Sequence, residues 1–254
     1  MKKIFLLFSA LLIAGLSELI TAQTNAPDPS IMQQYWFVML KRGENRSHDS
    51  LTAVKLQEGH MANINKMAEM GKLKLAGPFG DNGDWRGIFI MVTDSQQEAE
   101  QLVNQDPAVQ AGRLAYEIHP WYGGGDLKTN FDFPEDNVEK DGVKPKMMKS
   151  YFFVMLLEGP NRDQDSATAM KIQEEHLGNI MKMVKEGQVR LVGPFLDDSV
   201  WKGFFIFDVA TEDEVKKLLA NDPAITSGRM TYEIRPWYGA AKIYTKMNPR
   251  TPVR

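Results

Sequence analysis

The chain contains no cysteine. That excludes disulfide bridges, thiolate nucleophiles, cysteine-rich metal sites and a lipid anchor on an N-terminal cysteine. Stability must then come from core packing alone. No basic stretch stands out beyond the extreme N-terminus and the formal net charge is −3, so a nucleic-acid partner is not expected. Phosphate-cradling glycine loops, nucleophile motifs and metal-ligand clusters are also missing from the sequence, and neither a metal nor a cofactor is expected.

Long apolar runs are scarce too. One occupies positions 4–16, broken only by Ser9 and Gly15, behind Lys2 and Lys3 and ahead of Ile20, Thr21 and Ala22. A positive start, a short apolar stretch and a small residue before Gln23 have the layout of a secretory signal peptide over positions 1–22. An uncleaved anchor is the alternative, but the run is well short of the roughly 20 residues of a spanning helix. No second run of that length follows. The expected product is a periplasmic or secreted protein with no membrane contact after cleavage.

What the chain has in abundance is itself. Tyr35-Trp36-Phe37-Val38-Met39-Leu40 returns as Tyr151-Phe152-Phe153-Val154-Met155-Leu156, an offset of 116 residues. The same offset relates His60 to His176, Gly77-Pro78-Phe79 to Gly193-Pro194-Phe195, and Trp85 to Trp201. It also relates Asp106-Pro107 to Asp222-Pro223, Gly112-Arg113 to Gly228-Arg229, and Pro120-Trp121-Tyr122-Gly123 to Pro236-Trp237-Tyr238-Gly239. No gap is needed, and about half of the aligned positions are identical, so the chain is a duplication. The copies span 35–123 and 151–239. Positions 124–150 are polar and punctuated by glycine and proline, and read as a linker. The tail, 240–254, has no clear period.

Each copy predicts the same order of elements. An aromatic and apolar strand opens it (35–40). Asp49 or Ser50 caps a long helix that ends before Gly71. Short strands follow at 72–76 and 87–92. Asp94 and Ser95 with Glu98 form a capping box for a second helix, which stops near Asn104 before Asp106-Pro107. A last strand alternates from Arg113 to Ile118. The order β-α-β-β-α-β is the ferredoxin-like motif. Its helices cover one sheet face and leave the other apolar. The expected fold is therefore α+β, with two ferredoxin-like domains packed sheet to sheet as an intrachain pseudo-dimer.

On the first helix, 100° steps place His60 within an apolar arc of Ala53, Leu56, Ile64 and Met67, with Met61 and Val54 at its edge and Gln57 inside it. Ala169, Ile172, Leu177, Ile180, Met183, Met170 and Gln173 repeat this around His176. The imidazole thus points at the sheet or a cleft beside it. A buried imidazole needs hydrogen-bond partners, and Asp106 and Asp222 are the candidates. A carboxylate would fix the tautomer and raise the basicity of the ring, which suits general acid–base catalysis. A satisfied core histidine beside an ordinary Asp-Pro turn is the structural alternative. Repetition in a recent duplicate separates the candidates only in part. His48 faces Gln164 and His119 faces Arg235, so neither of these histidines is required by both halves. Arg113 and Arg229 are candidates for an anionic substrate, or for exposed pairing. Trp85 and Trp201 are candidates for a pocket wall, or for core packing. Asn45-Arg46 and Asn161-Arg162 precede the long helix and line a pocket mouth or form turns.

These residues resemble the YCII-related domain family. The resemblance is carried by the apolar first strand, His60, Gly77-Pro78, Asp106-Pro107 and Ile118-His119-Pro120-Trp121. In the second copy it is carried by His176, Gly193-Pro194, Asp222-Pro223 and Ile234-Arg235-Pro236-Trp237. It covers about 90 residues of each copy. The resemblance implies dimeric α+β barrels and an active site formed by a His–Asp dyad, here His60 with Asp106 and His176 with Asp222. Some relatives break down chlorinated or hydroxylated aromatic compounds by proton transfer, and the superfamily includes muconolactone isomerases. The tandem arrangement and the leader depart from the usual pattern, so cytoplasmic aromatic degradation is a poor guide to the substrate. Two functions follow as expectations. One is a cofactor-free lyase or isomerase acting on a small, aromatic or keto-acid substrate. The other is a non-catalytic periplasmic small-molecule binder or structural protein, which predicts a closed, dry space around both histidines.

Overall fold

The computed structural model describes residues 26–139 and 144–250. The leader expected at positions 1–22 lies outside these described residues.

The first copy contains β1 (Met32–Arg42), α1 (Ser50–Glu69), β2 (Leu73–Pro78), β3 (Trp85–Met91), α2 (Gln96–Val103), α3 (Pro107–Gln110) and β4 (Leu114–Gly124). A short β5 (Lys128–Thr129) follows. The second copy repeats the series as β6 (Met148–Glu158), α4 (Ser166–Lys185), β7 (Val189–Pro194), β8 (Trp201–Phe207), α5 (Glu212–Leu219), α6 (Pro223–Thr226) and β9 (Met230–Ala240), ending in β10 (Ile243–Tyr244). The sheets run β2-β3-β1-β4 and β7-β8-β6-β9, with antiparallel pairing throughout. This is the expected ferredoxin-like order, twice.

The helix signals work as local chemistry demands. Asp49 caps α1 by accepting from the Thr52 N–H at 2.8 Å, and Asp165 does the same for α4 from Thr168 at 2.9 Å. Gly71 and Gly187 end these helices at φ of 70° and 74°, a left-handed turn that glycine enters without strain. Ser95 caps α2, while the Glu98 carboxylate reaches back to the Asp94 N–H. Within each copy the single-turn helix after Asp-Pro was not foreseen. Asp106 and Asp222 do not merely stop a helix; each caps the next one, with proline in its first turn.

Alternation along β1 divides its side chains between two cores. Val38 and Leu40 meet Met67, Phe89 and Leu102 under the helices. Tyr35, Phe37 and Met39 face the other copy and join Phe153, Met155, Phe204 and Ile206 in one shared cluster. The sheets therefore close face to face into an α+β barrel. Its interior is filled with rings: Phe37 lies edge-on to Phe195 at 5.1 Å, and Trp121 stacks on Phe204 at 4.7 Å. Trp85 and Trp201 meet there at 5.6 Å. Trp121 and Trp237, at the end of the last strands, do more than pack domain ends. They cross to the other copy, where Trp237 Nε1 donates to the Gly77 carbonyl at 3.0 Å and each pairs with a phenylalanine of the opposite copy.

A polar clamp also crosses the seam twice. His119 Nδ1 lies 2.6 Å from Asp197, and Arg235 lies 2.9 Å from Asp81, at the positions related by the repeat. Burial opposes ionisation of Asp197, but hydrogen bonds from His119 and Ser199 hold its carboxyl below the ordinary value. A guanidinium offers a carboxylate a fork of N–H donors where an imidazole offers one. Changing His119→Arg is therefore expected to raise the melting temperature by roughly 2–4 °C, as thermal denaturation of the variant beside the parent would show.

The described residues that follow the first copy pack against the C-terminal segment. β5 pairs with β10, and buried Asp136 accepts from Tyr244 at 2.9 Å and from Arg250 at 3.1 Å. The Arg250 guanidinium first, assisted by Tyr244 and Lys242 against burial, brings the Asp136 carboxyl down to about 2. Among the described residues no helix is long and apolar enough to cross a membrane.

Candidate functional site

Asp106 and Asp222 are fully buried, and their caps hold them rigidly. In the first copy one carboxylate oxygen accepts from the Ala108 N–H at 2.8 Å, while the other lies 2.5 Å from His60 Nδ1. In the second copy Asp222 accepts from the Ala224 N–H at 2.9 Å, and His176 Nδ1 is 2.8 Å from both of its oxygens. A carboxylate that is already oriented by a helix N-terminus needs no further ordering to meet the imidazole. Both dyads therefore follow from a single sequence device, Asp-Pro opening a short helix beside the long one.

The arrangement imposes a tautomer. With Nδ1 against a carboxylate, the neutral ring carries its proton there, since a bare nitrogen would face an anion. The lone pair is then on Nε2, and among the described residues neither Nε2 has a hydrogen-bond partner. Such a ring can take a proton at Nε2 and return it, with the carboxylate stabilising the imidazolium. Burial works against a charged Asp222, but the His176 hydrogen bond and charge, Asn179 at 3.1 Å and the Ala224 N–H hold its carboxyl below the ordinary value. It thus stays an acceptor at neutral pH.

The copies differ in detail. The His176 side chain is 6% exposed, whereas the His60 side chain is 12% exposed and lies over Phe89 with ring centroids 6.1 Å apart. Asn179 reaches the dyad carboxylate, but its counterpart Asn63 donates to the Leu102 carbonyl at 3.3 Å instead. Gly59 brings α1 against α3 so closely that a Cβ there would sit 2.8 Å from Pro107; Glu175 occupies the repeat position. Asn179 and Asn63 were overlooked in the sequence, although an amide three residues after the histidine shares its helix face.

A cavity of about 110 Å³ adjoins His176, lined among others by Gln173, Leu177, Val192, Lys202 and Met230. Pro27, Met32 and Met247 also line it. Gln173 thus reaches the site, and so does Lys202, which sequence reasoning passed over. Gln57 is exposed on α1. So are Val54 at 54%, Met61 at 45% and Met170 at 70%, because the apolar arc is wider than the face the sheet covers. Trp85 and Trp201 are not part of the site. They lie in the barrel core, on the sheet face opposite the dyads, and aromatic residues at a strand start found their apolar partners there. Arg229 pairs with Gln164 at 2.5 Å, while Arg113 accepts at its carbonyl from the Arg46 guanidinium at 3.0 Å. Asn45 and Asn161 tie their loops to the Ala111 and Ser227 carbonyls, a turn role. Among the described residues no group of three or more His, Cys, Asp or Glu could hold a metal ion.

The YCII-related domain model matches residues 36–122 and again 152–238. The chain belongs to the YCII-related domain family. Its tandem form is similar in fold to a mutant chlorite dismutase from Candidatus Nitrospira defluvii, at 11% identity over 86% of this chain and 94% of that one, with a TM-score of 0.52. A heme-binding protein from Thermus thermophilus gives 12% identity over 85% and 94%, with a TM-score of 0.48. A single YCII copy is matched by 5-chloro-2-hydroxyhydroquinone dehydrochlorinase from Burkholderia phenoliruptrix, at 22% identity over 34% of this chain and 92% of that one, with a TM-score of 0.27. No functionally curated protein matches. At 11% identity the likeness to the chlorite dismutase speaks to the shared fold alone.

Proposed function

We propose that this tandem YCII-related protein is a cofactor-free acid–base enzyme, of lyase or isomerase type, acting on a small aromatic or keto-acid substrate. One observation carries the reading: in both copies a buried carboxylate sits on Nδ1 of an inward histidine and leaves Nε2 without a protein partner. Nε2 would remove a proton beside a carbonyl or enol and return it at another atom of the same molecule, so that no redox partner is required. General acid–base catalysis of this kind contributes about 10²–10⁴-fold. Incubating the full chain with small keto acids and hydroxylated aromatics in D₂O, and following loss of carbon-bound protons by NMR, tests it. The H60Q/H176Q double variant is expected to exchange at least 100-fold more slowly. Equal exchange by the double variant, or no exchange by the parent chain with any of these compounds, contradicts the proposal.

For the second copy a non-catalytic reading has its own support. The space beside His176 is small and mainly apolar, with Pro27, Met32 and Met247 in its wall. It falls below the roughly 300 Å³ of ordinary ligand pockets, which suits a non-catalytic or structural copy.

The same proposal includes export, on the layout of positions 1–22. Mass spectrometry of protein recovered from outside the cytoplasm should give a chain starting at Gln23; an intact Met1 terminus on cytoplasmic protein contradicts it.

A further inference from the structure

The two dyads share a design, but their surroundings differ in charge. In the second copy Glu158, the last residue of β6, lies 2.8 Å from Lys202 and 3.5 Å from Arg162. Lys202 also lines the cavity beside His176. Through Lys202 this trio adjoins the His176 cavity, and Glu158 pairs with both of its cations. The repeat offset turns Glu158, Arg162 and Lys202 into Arg42, Arg46 and Arg86 in the first copy. The acid at the centre of the trio has become a third cation.

A fourth joins them. β1 pairs with β4 so that Arg42 stands opposite Leu114, next to Arg113. The Arg46 guanidinium binds the Arg113 carbonyl at 3.0 Å, and Arg86 binds the Gly83 carbonyl at 3.3 Å. Among the described residues none of the four makes an ion pair within 4.0 Å, while Arg229, the repeat partner of Arg113, is bound to Gln164. Arg46, Arg86 and Arg113 are half-buried and Arg42 is exposed. Burial, and then the charges of Arg113, Arg42 and Arg86, lower the Arg46 pKa, as befits cations crowded without an anion. Four unpaired guanidiniums on one rim are costly unless something negative occupies the space among them.

We propose that Arg42, Arg46, Arg86 and Arg113 form an anion site in the first copy at the place where Lys202 adjoins the His176 cavity in the second, and that it holds the carboxylate of a small organic acid whose reacting end is served by His60. Guanidinium groups suit this task, because their planar forks bind carboxylates bidentately. The inference rests on the proposed dyad chemistry for its catalytic sense. Its binding claim stands without that chemistry. It also assigns the asymmetry of the duplicate: the first copy selects organic acids, and Glu158 denies the second that selectivity.

Calorimetric titration of the full chain with maleate, and with its neutral diamide maleamide as control, tests the site. Maleate is expected to bind and maleamide not to bind. R42E installs the residue that the second copy carries and is expected to weaken maleate binding at least tenfold. The same change should raise the melting temperature, since it pairs Arg46 and Arg86. R46Q, which introduces no new charge, should weaken binding several-fold. H60Q should still bind maleate, which keeps this test apart from that of the dyad. Absence of maleate binding by the parent chain, equal binding of maleamide, or undiminished maleate binding by folded R42E and R46Q overturns the proposal, whatever the histidine chemistry proves to be.

Discussion

Replacing Asp222 by alanine is expected to destabilise the protein by about 3–5 kcal/mol, the usual cost of removing one partner from a buried charged pair. The carboxylate serves three groups at once: His176 Nδ1, the Asn179 amide and the Ala224 N–H. Alanine strands all of them in a buried place and removes the cap of α6. Asparagine is the informative comparison. D222N keeps an oxygen for the cap and loses the charge, so its cost should be nearer about 1–2 kcal/mol, the scale of a single buried hydrogen bond. Denaturant unfolding of both variants separates capping from pairing. The pH dependence adds a check on sign. The folded-state pKa of Asp222 is depressed, so its contribution is complete above the unfolded value near about 3.9 and is lost as pH falls through the folded value. The parent chain should lose part of its advantage over D222N in acid. Equal stabilities of D222A and the parent would mean that the dyad is not closed in solution.

The second large effect belongs to the seam. A Cβ added to Gly193 would lie 2.0 Å from the Tyr122 carbonyl oxygen, and one added to Gly77 would lie 2.2 Å from that of Tyr238. Both obstacles are backbone atoms in strands of the other copy, and neither can move without opening the barrel. G193A and G77A are each expected to cost about 3 kcal/mol or more, the upper end for overpacking. G77A also displaces the Trp237 indole from the Gly77 carbonyl. Intrinsic tryptophan fluorescence during urea unfolding reports the loss directly. A midpoint unchanged from the parent in either variant would show that the sheets do not approach as described. The Gly-Pro step at these positions thus marks the place where two copies meet, and not merely a strand end.

Much of this was legible in the residues. The 116-residue offset announced two domains, and alternation at Tyr35, Phe37 and Met39 announced a sheet face that another sheet must cover. His60 and His176 were placed inward by helical period, and Asp106 and Asp222 by the proline that follows them. What stayed hidden depends on distances across the fold. Trp85 and Trp201 read equally well as pocket wall or core, and only the closing of one sheet on the other decides for the core. His119 and Arg235 looked unrelated because the residues differ, yet each clamps the aspartate of the opposite copy. The arginines at 42, 46, 86 and 113 are scattered along the first copy, and only strand pairing brings them to one rim. The polar stretch 124–150 read as a linker, because Tyr244 and Arg250, which hold its Asp136, lie 108 and 114 residues further along the chain.

The central claim is that each inward imidazole is held by its aspartate with the proton on Nδ1, leaving Nε2 as the base. Long-range ¹H–¹⁵N correlation NMR of the histidine rings reads this without any substrate. For the neutral rings of His60 and His176 the predicted pattern is a protonated Nδ1 and an unprotonated Nε2, and it should be lost for His176 in D222A. A proton on Nε2, or averaging between the two nitrogens as in a solvent-exposed ring, would contradict the account.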